Sequence, residues 1–148
     1  MTDEPGTFSP IGNSDARMHG ATSLLVSGYT IADQASLRKM LNASELGHVP
    51  VVFVAEACSN MTLAQLANLP DRHGEGTPSA LRRGIVMSGL TETELHRLMA
   101  VYRTSGMAQQ HWASVTPTSD VWPLAHLLAE LSREQQALKE AMTKNRQA

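Results

Sequence analysis

Gly84-Ile85-Val86-Met87-Ser88-Gly89, then Thr91 to Ser105, Trp112-Ala113-Ser114-Val115-Thr116, Pro117-Thr118-Ser119-Asp120 and a leucine-rich run from about Val121 make up the stretch that decides the fold. Ile85 to Met87 is an apolar run closed by Gly89, the pattern of a strand and its turn. Thr91 and Glu94 have the spacing of a capping box, in which the hydroxyl takes the N3 amide and the carboxylate reaches back. Leu95, Leu98, Met99 and Tyr102 recur at i, i+3, i+4 and i+7, one face of a helix that Gly106 ends. Trp112 to Val115 returns as a strand. Asp120 stands where it would cap the last helix, with Pro123 inside the first turn, where a missing N–H costs little. That helix is expected to bury Leu124, Leu127, Leu128, Leu131 and Leu138, to turn polar beyond Ser132, and to fray over 143–148.

Toward the N-terminus the same grammar recurs more faintly. Ser23 to Ser27 is a short apolar run closed by Gly28, and Thr30 opens a helix with Asp33 as a weak capping partner. Ile31, Leu37, Met40 and Leu41 give it an apolar stripe thinned by Gln34 and Arg38, and Gly47 with Pro50 stops it. Val51-Val52-Phe53-Val54-Ala55 is apolar throughout, as a strand buried on both faces would be. Ser59 offers a cap for a short helix through Met61, Leu63, Leu66 and Leu69. Residues 70–83, with two prolines, two glycines and clustered charges, read as a linker or exposed loop, and Arg82-Arg83 as its solvated end. Residues 1–20 carry five Pro or Gly and no period, so a disordered or loosely attached tail is expected there.

Gly28 to Gly89, Leu37 to Leu98 and Leu63 to Leu124 are each separated by 61 positions, and the same offset relates Ser27 to Ser88, Thr30 to Thr91 and Val54 to Val115. The expectation is an α/β fold of two tandem βαβα repeats, 23–69 and 84–131, in one domain over 21–142. Each crossover should be right-handed with parallel strands. Two-stranded sheets are marginal alone, so the repeats should share one four-stranded sheet with helices packed on it. The direction of the two central strands stays open at this level.

Composition narrows the function classes. A chain of 148 residues with 42% hydrophobic content can bury one ordinary core. A net charge of −2 argues against nucleic acid held through its phosphates and against a polybasic membrane surface. No apolar run approaches the roughly 20 residues that span a bilayer. One cysteine, Cys58, and an acidic start without signal-peptide character point to a cytoplasmic protein. The six histidines form no i,i+4 pair, so no metal and no cofactor are expected.

Ser88-Gly89-Leu90-Thr91-Glu92, Val115-Thr116-Pro117-Thr118-Ser119, Trp122 and Leu124 to Leu131 resemble a prokaryotic, hence bacterial-type, family, the domain of unknown function 3783. Its pattern is a strand ending in Gly, a T/S-x-x-E helix start, T-P-[TS], a nearby Trp and an acidic-leucine helix. The resemblance covers about Gly84 to Met142. The first half departs from it, with Ala55-Glu56-Ala57-Cys58 in place of Thr116-Pro117-Thr118-Ser119 and Met61 in place of Trp122. It implies a domain and no activity.

The candidate ligand site is the pair of strand-end loops: Ser88, Gly89, Thr116, Pro117, Thr118, Ser119, Asp120 and Trp122. In open α/β sheets ligands bind past the C-terminal strand ends, and helix N-terminal amides favour anions. The competing reading is that these hydroxyls cap the helix, Pro117 directs the chain and Trp122 is a packing anchor. The sequence therefore predicts a binding or interaction module for a small anion or a protein partner, including a second copy met through Leu131, Leu138 and Met142. The alternative is an enzyme using Thr118 or Ser119 with an unnamed base.

Overall fold

A computed structural model of the chain describes residues 16–147; the greater part of the expected N-terminal tail, 1–15, lies outside them. Along the chain run β1 (Ser23–Ser27), α1 (Ile31–Ala43), β2 (Val51–Val54), α2 (Leu63–Ala67), β3 (Gly84–Ser88), α3 (Glu92–Thr104), β4 (His111–Ser114) and α4 (Leu124–Gln147). Short 3-10 turns at Glu56–Cys58 and Ser119–Val121 precede α2 and α4. The strands form one open sheet in the order β2-β1-β3-β4. The outer pairs are parallel and the central pair, β1 with β3, is antiparallel. This alternation is consistent with two βαβα units, and it answers the question of direction that the sequence leaves open.

The registers carry the 61-residue spacing into space. Leu24 pairs with Val51 and Leu25 with Val52, while Ile85 pairs with Trp112 and Val86 with Ala113. In the central pair Leu25 faces Val86, its own counterpart at that spacing, so a pseudo-two-fold passes between them. The same axis passes between Thr62 and Pro123, where Leu63 N–H donates to Trp122 C=O (2.9 Å) and Leu124 N–H to Met61 C=O (3.2 Å).

Period-two alternation in the strands divides the core into two layers. Leu24, Val26, Val51, Phe53, Ile85 and Met87 pack under Leu37 and Leu41 of α1 and Leu98 and Tyr102 of α3. Leu25, Val52, Val54, Val86 and Val115 pack under Leu63 and Leu66 of α2 and Leu124, Leu127 and Leu128 of α4. Both faces are therefore covered, which is why β1, β2 and β3 are buried at every position.

Several local expectations are revised. The capping box of α3 is present as read, but α2 is opened by Thr62 with Gln65, not by Ser59. Pro123 precedes α4, and Asp120 lies in the 3-10 turn instead of capping the helix. Gln34, the residue that weakens the stripe of α1, is buried: its amide donates to Thr77 C=O (2.9 Å) and accepts from Gly76 N–H (2.8 Å). Ile31, assigned to that stripe, is exposed instead. Beyond Ser132, α4 leaves the body with every described side chain exposed, Leu138 and Met142 among them.

Candidate functional site

Because β3 and β4 are parallel, the loops Ser88–Gly89 and Thr116–Asp120 leave the same end of the sheet, while Ser27–Gly28 leaves the opposite end with β1. The structure thus brings the first two loops to one end and sets Ser27–Gly28 apart from them. Within the threonine loop the polar groups serve one another. Thr116 N–H donates to Ser119 Oγ (3.0 Å), Ser119 N–H donates to Thr116 Oγ1 (3.0 Å), and the two hydroxyls are 3.1 Å apart. Asp120 N–H donates to Thr116 C=O (3.0 Å) and Trp122 N–H to Ser119 C=O (2.9 Å). The Asp120 carboxylate is met by His19 Nε2 at 2.8 Å. Thr116, Pro117 and Thr118 are exposed and Ser119 is buried. The partners of Ser119 are thus the amide and hydroxyl of Thr116, not an ionisable base. Trp122 packs on the second core layer, edge-on to His126 with ring centroids 4.7 Å apart.

Residues 16–20 lie over the companion loop. Gly89 N–H donates to His19 C=O (3.0 Å), Met18 N–H donates to Leu90 C=O (2.9 Å), and Arg17 reaches Gly89 C=O (3.0 Å) and Glu94 (3.1 Å). Gly89 has φ +64, and a Cβ there would press into the Gly20–Ala21 backbone, so only glycine permits this approach. Burial works against the Glu94 carboxylate, but the Thr91 amide, His48 and Arg17 outweigh it and hold its pKa below the ordinary value.

A cluster that the sequence reading missed lies at the other end of the sheet. Arg83 is not a solvated linker end: its guanidinium bonds Asp33 (2.8 Å) and the Tyr102 hydroxyl (3.1 Å) and stacks 4.0 Å from the Tyr29 ring centroid. The Tyr29 hydroxyl donates to Gln110 Oε1 (2.8 Å), the Tyr102 hydroxyl donates to Ala108 C=O, and Tyr102 meets Trp112 edge-on at 5.3 Å. Burial, then the neighbouring Tyr102, pushes the Tyr29 phenol far above its ordinary range, so it stays neutral. Burial also opposes the Arg83 charge, yet Tyr102 and Asp33 more than restore it. The only signal in the sequence was that its two tyrosines, Tyr29 and Tyr102, each sit near a turn.

The largest difference between the halves is at the sheet edges. In a parallel ladder alternate residues turn their N–H and C=O outward. On β2 those residues are Val51 and Phe53, and the linker covers them. Val51 N–H donates to Asp71 Oδ1 (2.8 Å), Arg72 N–H to Val51 C=O (2.7 Å), and Phe53 N–H to His73 C=O (2.8 Å). On β4, His111 N–H and Val115 N–H bond inward to Arg83 and Met87, so Trp112 and Ser114 face out. Their outward N–H and C=O groups have no hydrogen-bond partner among the described residues. All four residues of β4 are half-buried, against the fully buried β2.

Beside this open edge is a cleft of about 520 Å³ lined by Met99, Tyr102 and Arg103 of α3, by Met107, Gln109 and Gln110, and by Trp112. The flank of α3 toward α1 carries Arg97, bonded to Glu45 at 3.3 Å, and Met99 and Arg103 lie about 200° round the helix from Arg97 and Val101. The cleft therefore opens to the outer side, along β4.

Residues 83–138 match the family model of the domain of unknown function DUF3783. The matched DUF3783 segment begins at Arg83 and contains β3, α3, β4, the threonine loop and the packed part of α4. It thus holds both the open edge and the cleft, while the half with the covered edge lies outside it. No curated protein and no solved structure matches the chain. Among the described residues no helix is long and apolar enough to cross a membrane, and no group of three or more His, Cys, Asp or Glu could hold a metal ion.

Proposed function

We propose that this chain is a protein-interaction module that takes up an extended segment of a partner as a fifth strand along β4. The observation that carries this reading is a contrast: the linker bonds both outward groups of Val51 and the outward N–H of Phe53, whereas none of the equivalents on Trp112 and Ser114 has a partner among the described residues. An open edge is a template for pairing, and natural proteins cover one that has no use, as this chain does at β2. Strand addition draws its affinity from main-chain hydrogen bonds and its specificity from pockets for alternate side chains, and the Met99–Trp112 cleft is such a pocket. The threonine loop then has a structural task, handing β4 over to α4 through its mutual hydroxyl bonds.

The test is Ser114→Pro, which deletes one outward N–H at an edge position where proline is tolerated. Short peptides selected for binding to the wild-type chain should lose about tenfold in affinity to the variant, with its circular dichroism and melting unchanged. Amide exchange at Trp112 and Ser114 should slow when peptide is bound. Selected peptides that bind both proteins equally would refute strand addition.

A further inference from the structure

We infer that the segment taken up at β4 is acidic at the end beside His111 and inserts one large apolar side chain between Met99, Met107 and Trp112. This rests on the strand-addition reading and adds the chemistry of the partner. The first half of the molecule supplies an internal precedent. There the edge is covered by the chain's own Asp71-Arg72-His73, and the cover carries carboxylates to a cation on the adjoining helix: Arg38 lies 3.5 Å from Asp71 and 3.4 Å from Glu75. Backbone pairing and charge pairing occur together, on the outer flank of the helix that crosses over that edge.

At the 61-residue spacing Arg38 corresponds to Met99 and Asn42 to Arg103. The second half has therefore moved its cation one turn along the helix and put a thioether where the guanidinium stood. Methionine adapts to irregular apolar partners, and here Met99 and Met107 face Trp112. On the opposite face, Arg82 lines a smaller depression of about 260 Å³ with Arg83, His111 and Gln135 of α4. Arg103 and Arg82 thus stand on either side of the start of β4. Both are exposed, neither has an ion-pair partner among the described residues, and no carboxylate lines either depression. Gln110 lines both, and its buried Nε2 lacks a hydrogen-bond partner among the described residues. A segment with carboxylates at this end would meet two exposed cations that no described carboxylate engages.

The experiment uses three synthetic peptides with the same alternating Val/Leu body and Glu-Glu, Gln-Gln or Lys-Lys at one end, read by fluorescence anisotropy. The Glu-Glu peptide should bind about tenfold more tightly than the Lys-Lys peptide at low salt, and the gap should shrink as salt rises. The double variant Arg82→Glu with Arg103→Glu should reverse the order, while Ser114→Pro should weaken all three. Binding that responds to Ser114→Pro but not to peptide charge overturns this inference and leaves strand addition standing. Binding indifferent to Ser114→Pro overturns both. Failure of all three peptides to bind a folded wild-type chain refutes the acidic partner. So does a dimer by sedimentation that Ser114→Pro converts to monomer, because the edge would then be taken by a second copy.

Discussion

The two halves share a register and differ in what is laid over it. β1 and β2 pair with the offset of β3 and β4, and α1 and α3 cover the same face. Yet α2 stops after five residues, followed by Pro70 and a linker that folds back over β2, whereas α4 runs on for 24 residues. That one divergence decides both edges. A helix that ends early frees chain to seal the neighbouring strand; a helix that continues leaves its strand open and projects an exposed arm. Identical ladders thus have different consequences because stability at an edge depends on what covers its outward backbone groups, not on the pairing behind it.

The comparison breaks most severely at its centre. Leu25 is fully buried opposite Val86 on the pseudo-two-fold, so Leu25→Ala removes packing that both halves use. Urea unfolding should register a loss of about 2–5 kcal/mol. The exposed Leu138 on the projecting arm, cut to alanine, should change stability by less than about 0.5 kcal/mol. Similar losses at the two positions would contradict the assignment of the core.

A smaller effect is expected where the first half seals its edge. Gly74 has φ +79 and lies so close to the Phe53 carbonyl that a Cβ would collide with it; Gly76, at φ +92, has open space around it. Gly76→Ala should cost about 1 kcal/mol for the backbone alone. Gly74→Ala should cost about 1–3 kcal/mol, because the linker must also lift from β2 and release Phe53 N–H from His73. Faster amide exchange at Phe53 in Gly74→Ala only would show the second edge opening. Equal costs, with Phe53 protected in both variants, would mean that the cover is not held in place there.

What the sequence disclosed and what it hid follow the same physical line. Strands, α1, α3, the shared sheet and the capping box at Thr91 were legible because short-range periodicity and capping chemistry specify them. The direction of the central pair was not, since no residue pattern distinguishes parallel from antiparallel neighbours buried on both faces. Gln34 and Arg83 were misjudged because their partners, Thr77, Gly76, Asp33 and Tyr102, are 42 to 50 or 19 positions away. The threonine loop lies past the end of β4, where the sequence puts it, but hydroxyls three residues apart can satisfy one another as readily as they can face a ligand. The open edge was invisible, because it is defined by a cover present beside β2 that has no counterpart beside β4 among the described residues.

The subtlest difference between the halves is in their helix caps. Thr30 and Thr91 both accept the N3 amide, but the N3 residue is Asp33 in one half and Glu94 in the other. Asp33 turns away to Arg83, while Glu94 returns to the Thr91 N–H (3.0 Å) and also holds Arg17 and His48. Its carboxyl pKa, lowered from 4.5 in the folded chain, means that it binds protons more weakly there than when unfolded. The stability it contributes is therefore fully present above the unfolded value and lost as pH falls through the folded one. Glu94→Gln can keep the cap, as Gln65 does with Thr62, while removing the charge. The variant should melt below the wild type at neutral pH, and the two curves should converge as pH falls through the lowered folded-state pKa of the carboxyl. A gap that stays constant over that range would show that the carboxylate charge has no part in fixing the start of α3 or in holding Arg17 over the Gly89 loop.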